Sequence, residues 1–105
     1  MNLTEFRRSS YAAIDWITEY LAHPERYPVL ARTRPGEIAA QLPAGPPELP
    51  ERMDEILAYS QRIILPGITH WNHPGFFGYF SIAGSGPGIL GELLSPYFVV
   101  QHNRN

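Results

Sequence analysis

Eleven prolines in 105 residues set the first limit on what this chain can fold into. Proline has no backbone N–H and its ring clashes with the preceding turn, so it ends or kinks a helix. Between the prolines, residues 3–22 read as an amphipathic helix with Phe6, Ala13, Ile17, Tyr20 and Leu21 near one face. Asn2 and Glu5 have the spacing of a capping box, and His23-Pro24 closes the helix. Residues 24–34 form an extended connector. Pro35-Gly36-Glu37 opens a short helix to about Leu42, with Pro35 in its first turn. Residues 43–50 hold four prolines and make a stiff linker.

Residues 51–64 carry the clearest helical pattern, with Met53, Ile56, Leu57, Ser60, Ile63 and Ile64 on one face and Pro66-Gly67 as terminator. Ser85 is placed to cap a last helix from Gly86 to about Leu94, with Pro87 in its first turn. The expected fold class is mainly α: three to four helices joined by proline-rich connectors. Each helix has one apolar stripe, and a domain this small buries only about 60–65% of its surface. Such an arrangement suits wrapping on a partner better than a self-contained globule.

Charge and residue usage exclude several functions. Ten acidic and eight basic residues leave a net charge of −2, too balanced for nucleic acid or an anionic membrane surface. All eight basic residues are arginine. With no lysine, the chain has no side-chain amine for a Schiff base. With no cysteine it has no thiolate chemistry and no disulfide. The start lacks the apolar stretch of a signal peptide, and no apolar run approaches the roughly 20 residues of a membrane span. The default reading is a soluble, cytoplasmic chain.

Chemistry concentrates between residues 69 and 82. Trp71, Phe76, Phe77, Tyr79 and Phe80 crowd together, with Gly75 and Gly78 removing bulk between the rings. Phe76 and Phe77 read first as core filler; the functional reading is an aromatic wall for a flat ligand. His70 and His73 are three apart, but Pro74-Gly75 makes this a loop and no carboxylate completes a metal site. A histidine bonded to backbone, or stacked on a cofactor or partner, is the expectation, with no metal. Gly84-Ser85-Gly86-Pro87-Gly88 has the outline of a phosphate cradle, yet lacks the Walker lysine; a helix cap is the simpler reading. Asp15 and Glu19 form a solvated face.

The order of motifs then carries a resemblance. Glu5-Phe6-Arg7-Arg8, Pro28-Val29, Pro35-Gly36, Leu42-Pro43 and Pro46-Pro47 lead to Ile64-Leu65-Pro66-Gly67-Ile68-Thr69-His70-Trp71, followed by Pro74, Phe76-Phe77, Tyr79-Phe80, Ala83, Ser85 and Pro87. From about residue 2 to residue 94 the chain resembles the N-terminal part of the pyridoxal-phosphate-dependent group II decarboxylases, the aromatic-L-amino-acid decarboxylase family. The resemblance implies the N-terminal extension of a fold-type I homodimer, packed over the neighbouring subunit. It implies pyridoxal phosphate as cofactor, held by a lysine that this chain does not contain. It also implies that Trp71, Tyr79, Phe80 and Ile82 line the pocket for the substrate side chain, with no catalytic and no cofactor-binding residue in this chain.

Two departures matter. The animal enzymes have Pro and Thr after Tyr-Phe, where this chain has Ser81 and Ile82. A missing hydroxyl at 82 argues against a preference for catechols. Gly84, Gly86 and Gly88 look bacterial in type. Residues 1–94 are thus expected to form a helical dimerisation segment carrying the aromatic stretch 68–83. Residues 95–105 are expected to be a non-family tail in which Pro96 breaks the helix, left by truncation or frame-shift. The resulting reading is an inactive N-terminal segment of an amino-acid decarboxylase, a carboxy-lyase of amino-acid and carboxylic-acid metabolism, which pairs with its own copy or a full-length subunit. The rival is a non-enzymatic helical interaction module.

Overall fold

A computed structural model describes residues 1–77 and 84–102, with side chains described to residue 98. Its order is α1 (Leu3–Ala22), a single tight turn at Pro24–Arg26, α2 (Glu37–Gln41), α3 (Met53–Tyr59) and α4 (Gly86–His102). No strand occurs among the described residues, so the mainly helical class holds.

The first helix begins as its residue types demand. The Asn2 side chain accepts from the Glu5 N–H at 2.8 Å, and the Glu5 carboxylate accepts from the Asn2 N–H at 3.4 Å. This reciprocal pair satisfies two of the amides that a helix start leaves free. Along α1, Phe6, Ala13, Ile17 and Leu21 line an apolar groove of about 420 Å³, faced by Leu57 of α3 and Ile89 of α4. Tyr20 departs from that face and turns towards the loop at residue 70.

Pro35 does not enter α2. It occupies the second position of a turn in which the Glu37 N–H donates to the Arg34 carbonyl at 3.0 Å. Gly36 follows at φ 84°, ψ −11°, the geometry of the third residue of a type II turn, where glycine is required and proline favours the position before it. The expected first-turn proline is therefore corrected to a turn proline preceding the helix.

The helix expected over 51–64 is also modified. Its α-helical part is Met53–Tyr59; Ser60–Ile64 widen into a π turn, and Leu65–Gly67 tighten into a 3₁₀ turn. The Leu65 N–H reaches back to the Ser60 carbonyl. Pro66 has no N–H to continue the ordinary ladder, so register changes just ahead of it. The widened turn carries Ile63, which is buried.

Pro96 lies inside α4, contrary to the expected break. A mid-helix proline removes one hydrogen bond and costs about 3 kcal/mol. Water can satisfy the orphaned carbonyl on an exposed helix such as this one, and the helix runs on to His102. Tyr97 and Phe98, read from sequence as β-prone, are helical and exposed, with their rings edge to face at 5.4 Å.

Among the described residues only Ile63 and His70 are buried. The radius of gyration is 16.5 Å, against about 13 Å for a compact domain of this length. The expectation of a chain without a closed core is met.

Gly36 gives a direct check on the turn. Gly36→Ala must place a Cβ at positive φ and is expected to destabilise by about 1 kcal/mol. Gly45→Ala, with open space around it, is expected to change stability by less than about 0.5 kcal/mol. Urea denaturation of the two variants makes the comparison; equal effects would contradict the turn assignment.

Candidate functional site: a histidine clasp beneath an aromatic wall

Three rings from two parts of the chain gather at His70, which stands on a third. Trp16 and Tyr20 lie one helical turn apart on α1 and stack at 5.4 Å. Tyr27, in the connector after α1, packs against Tyr20 at 5.1 Å and stacks on the His70 imidazole at 4.8 Å. The Tyr20 hydroxyl meets His70 Nδ1 at 2.6 Å. The His70 N–H donates to the Val29 carbonyl at 3.0 Å. Helix, connector and loop thus close on one side chain that is 1% exposed.

The protonation pattern follows from the partners. Burial, with a smaller contribution from Tyr27, raises the Tyr20 pKa, so its hydroxyl keeps its proton and can donate. A hydrogen bond joins the His70 ring to the Leu65 backbone and favours the charged ring; a carbonyl there can only accept. These assignments put the imidazole proton on Nε2 and leave Nδ1 to accept from Tyr20. Burial, and next the charge of His73, still hold His70 below the usual imidazole range.

The wall rises directly from this clasp. The His73 N–H donates to the His70 carbonyl, and the Phe76 N–H to the His73 carbonyl, both at 3.0 Å. Two successive turns therefore begin at His70. His73 Nδ1 accepts from the Gly75 N–H at 2.8 Å and braces the second turn. A Cβ on Gly75 would lie 3.2 Å from Val29 Cγ2 and 3.1 Å from His73 Nδ1, so only glycine fits without displacement. Folded this way, Trp71 and Phe76 stack at 5.7 Å with 17° between their planes.

Of the residues expected to line a pocket, Trp71 is placed here and is 46% exposed. Tyr79, Phe80 and Ile82 lie outside the described residues. The core-filler reading fails for Phe77, which is 91% exposed; Phe76 is half-buried against Trp71. His70 is bonded to backbone, as expected, but its ring stacks on this chain's own Tyr27, where a cofactor or partner was the expected neighbour. Sequence reasoning missed Tyr27 and the turning of Tyr20; the available signal was an aromatic pair at i, i+4 on α1 pointing at a histidine with no ligand set. At the start of α4, the Ser85 hydroxyl accepts from the Gly88 N–H at 3.1 Å. That amide is engaged by a cap, as the simpler reading held. Asp15 and Glu19 are exposed, and Glu19 pairs with Arg26 at 3.6 Å.

Known proteins share this arrangement of elements. The chain belongs to the pyridoxal-dependent decarboxylase family, whose conserved domain matches residues 35–99. It is 45% identical over 96 residues to tyrosine decarboxylase 4 of Petroselinum crispum, covering 91% of this chain and 19% of that protein. Among solved structures it resembles 4-hydroxyphenylacetaldehyde synthase of Rhodiola rosea, with a TM-score of 0.84 and 41% identity over 95% of this chain and 21% of that one. It also resembles tryptophan decarboxylase of Catharanthus roseus, in complex with L-tryptophan, with a TM-score of 0.80 and 36% identity over 93% of this chain and 21% of that one. The chain thus spans about a fifth of the length of its curated relatives. These relatives are plant proteins, so the bacterial-type reading of Gly84, Gly86 and Gly88 is not borne out.

Pyridoxal phosphate is the family's cofactor. It is an aldehyde that anchors as an imine on a lysine amine. This chain has no lysine, so its residues do not form the covalent site. Among the described residues no helix is long and apolar enough to cross a membrane.

The buried imidazole makes stability depend on pH. Its folded pKa is depressed, so the folded state binds this proton less readily than the unfolded state. Its contribution is therefore complete above the ordinary imidazole pKa of about 6.5 and is lost as pH falls below that towards the folded value. The urea midpoint is expected to drop between about pH 7.5 and about pH 5, and His70→Asn is expected to flatten the drop. An unsubstituted chain with the same midpoint at both ends would contradict the buried, neutral ring.

Proposed function

We propose that this chain is the N-terminal segment of a cytoplasmic, dimeric decarboxylase acting on an aromatic L-amino acid. In that role it supplies part of the wall around the substrate side chain and none of the cofactor's anchor. One observation carries the reading: the Trp71–Phe76 pair is stacked, half-open to solvent and braced from beneath by a buried histidine. A ring pair that only filled a core would be covered; one presented on rigid turns suits a flat apolar ligand. Trp71, Tyr79 and Phe80 face the substrate ring in this proposal, and Ile82 closes the pocket. The names of the relatives, for tyrosine and tryptophan, support an aromatic substrate.

The apolar side of α1 has a different role in the same reading. Phe6 and Leu21 remain exposed along the groove beside α4. An uncovered apolar face of this kind marks a protein contact, and a neighbouring subunit is the occupant proposed for it. Alone, the chain is an inactive arm and pocket wall.

Activity is tested by exchange. This segment replaces its matching segment in the Petroselinum crispum tyrosine decarboxylase, to which it is 45% identical. The chimera is expected to release CO2 from an aromatic L-amino acid, and Trp71→Ala to lower kcat/KM by about 10- to 100-fold. Ile82→Thr restores a hydroxyl and is expected to favour L-tyrosine over L-phenylalanine by about tenfold more than Ile82 does. A folded, cofactor-loaded chimera indifferent to Trp71→Ala would contradict the wall.

A further inference from the structure

We infer that Tyr20 and His70 are positioning residues for the aromatic wall, so that α1 sets where Trp71 stands. The inference rests on the wall reading above and adds the part that fixes the wall in place.

The route from helix to ring is short and made of directed bonds. Tyr20 leaves the groove-lining face of α1 and holds His70 Nδ1 at 2.6 Å. Tyr27 covers the imidazole face at 4.8 Å. The peptide on either side of His70 is fixed as well: its N–H is bound by Val29, and its carbonyl accepts from the His73 amide. Trp71 is the next residue along. Its ring then lies parallel to that of Phe76, whose amide is bonded to His73. No part of this route uses a charge or a solvent-exposed bond at its centre, so it is stiff where the loop would otherwise be loose.

Nδ1 of a fully buried ring needs a donor, and Tyr20 is the partner it has. Without the hydroxyl, His70 has to turn to find one. Turning the ring breaks the stack on Tyr27 and the link to Leu65 together. The first turn of the loop then loses its fixed corner, and Trp71 moves relative to Phe76. His73, by contrast, braces only the second turn through Gly75. The two histidines that sequence spacing offered as a pair therefore have separate mechanical tasks.

NMR of the full 105-residue chain, labelled at histidine and aromatic side chains, tests this. His70 is expected in a single tautomer, protonated at Nε2 and bare at Nδ1. Tyr20→Phe is expected to weaken the Trp71–Phe76 ring contact, read as their cross-relaxation, at least twofold. His70→Asn places an amide oxygen where Nδ1 stood and is expected to retain the contact; His70→Gln, whose amide reaches the Nε2 position, is expected to lose it. The capped Glu5 amide reports separately on whether α1 stays folded. Should Tyr20→Phe unfold α1, the two His70 variants decide. A mixed tautomer, an unchanged ring contact in Tyr20→Phe, or equal behaviour of His70→Asn and His70→Gln would overturn the inference. Titration with p-cresol and indole separates it from the wall reading. Trp71 moved by Tyr20→Phe but not by the probes keeps the clasp and removes the wall; Trp71 moved by the probes alone removes the clasp.

Discussion

The bond between the Tyr20 hydroxyl and His70 Nδ1 organises this chain more than any apolar core does. It joins residues fifty positions apart across one contact of 2.6 Å. Among the described residues His70 and Ile63 are the two that are buried, and they sit at the two ends of the segment leading into the aromatic loop. A chain with so little interior cannot rely on area removed from water. It relies on placing one polar group where every bond is met, since an unmet one costs more there than elsewhere.

Proline placement explains why the fold takes this form. Pro35 sets the turn before α2 and leaves the helix itself free of strain. Pro66 ends the regular ladder of α3 and forces the wide turn that buries Ile63. Pro24 turns the chain after α1 so that Tyr27 returns beside Tyr20. Each of these three prolines acts as a local corner, and between corners the helices keep apolar sides that this chain does not cover. The wall and the uncovered groove lie on different sides of α1: Tyr20 serves one and Phe6, Ile17 and Leu21 line the other.

Much of this was legible in the residues. The capping box at Asn2 and Glu5, the serine cap at Ser85 and the bounds of α1 follow from local chemistry, and local chemistry suffices because those bonds span only three residues. The family could be read from the order of its motifs, and the conserved domain matches residues 35–99. What could not be read depends on long-range contacts or on competing local costs. The Tyr20–His70–Tyr27 cluster has no spacing signature, because its members meet only after two turns have formed. Pro96 was misread as a stop, since local cost alone does not reveal that an exposed helix tolerates one lost bond. Phe77 was misread as core because hydrophobicity does not say which side of a loop faces out.

The central claim is that a clasp beneath the loop holds Trp71 as a wall for an aromatic substrate ring. A crystal structure of the plant enzyme carrying this segment, bound to an unreactive aromatic amino-acid analogue, tests it most directly. The account predicts the analogue's ring within about 4 Å of the Trp71 indole, with the Tyr20–His70 bond intact beneath it. A ring bound elsewhere while Trp71 faces solvent would contradict it.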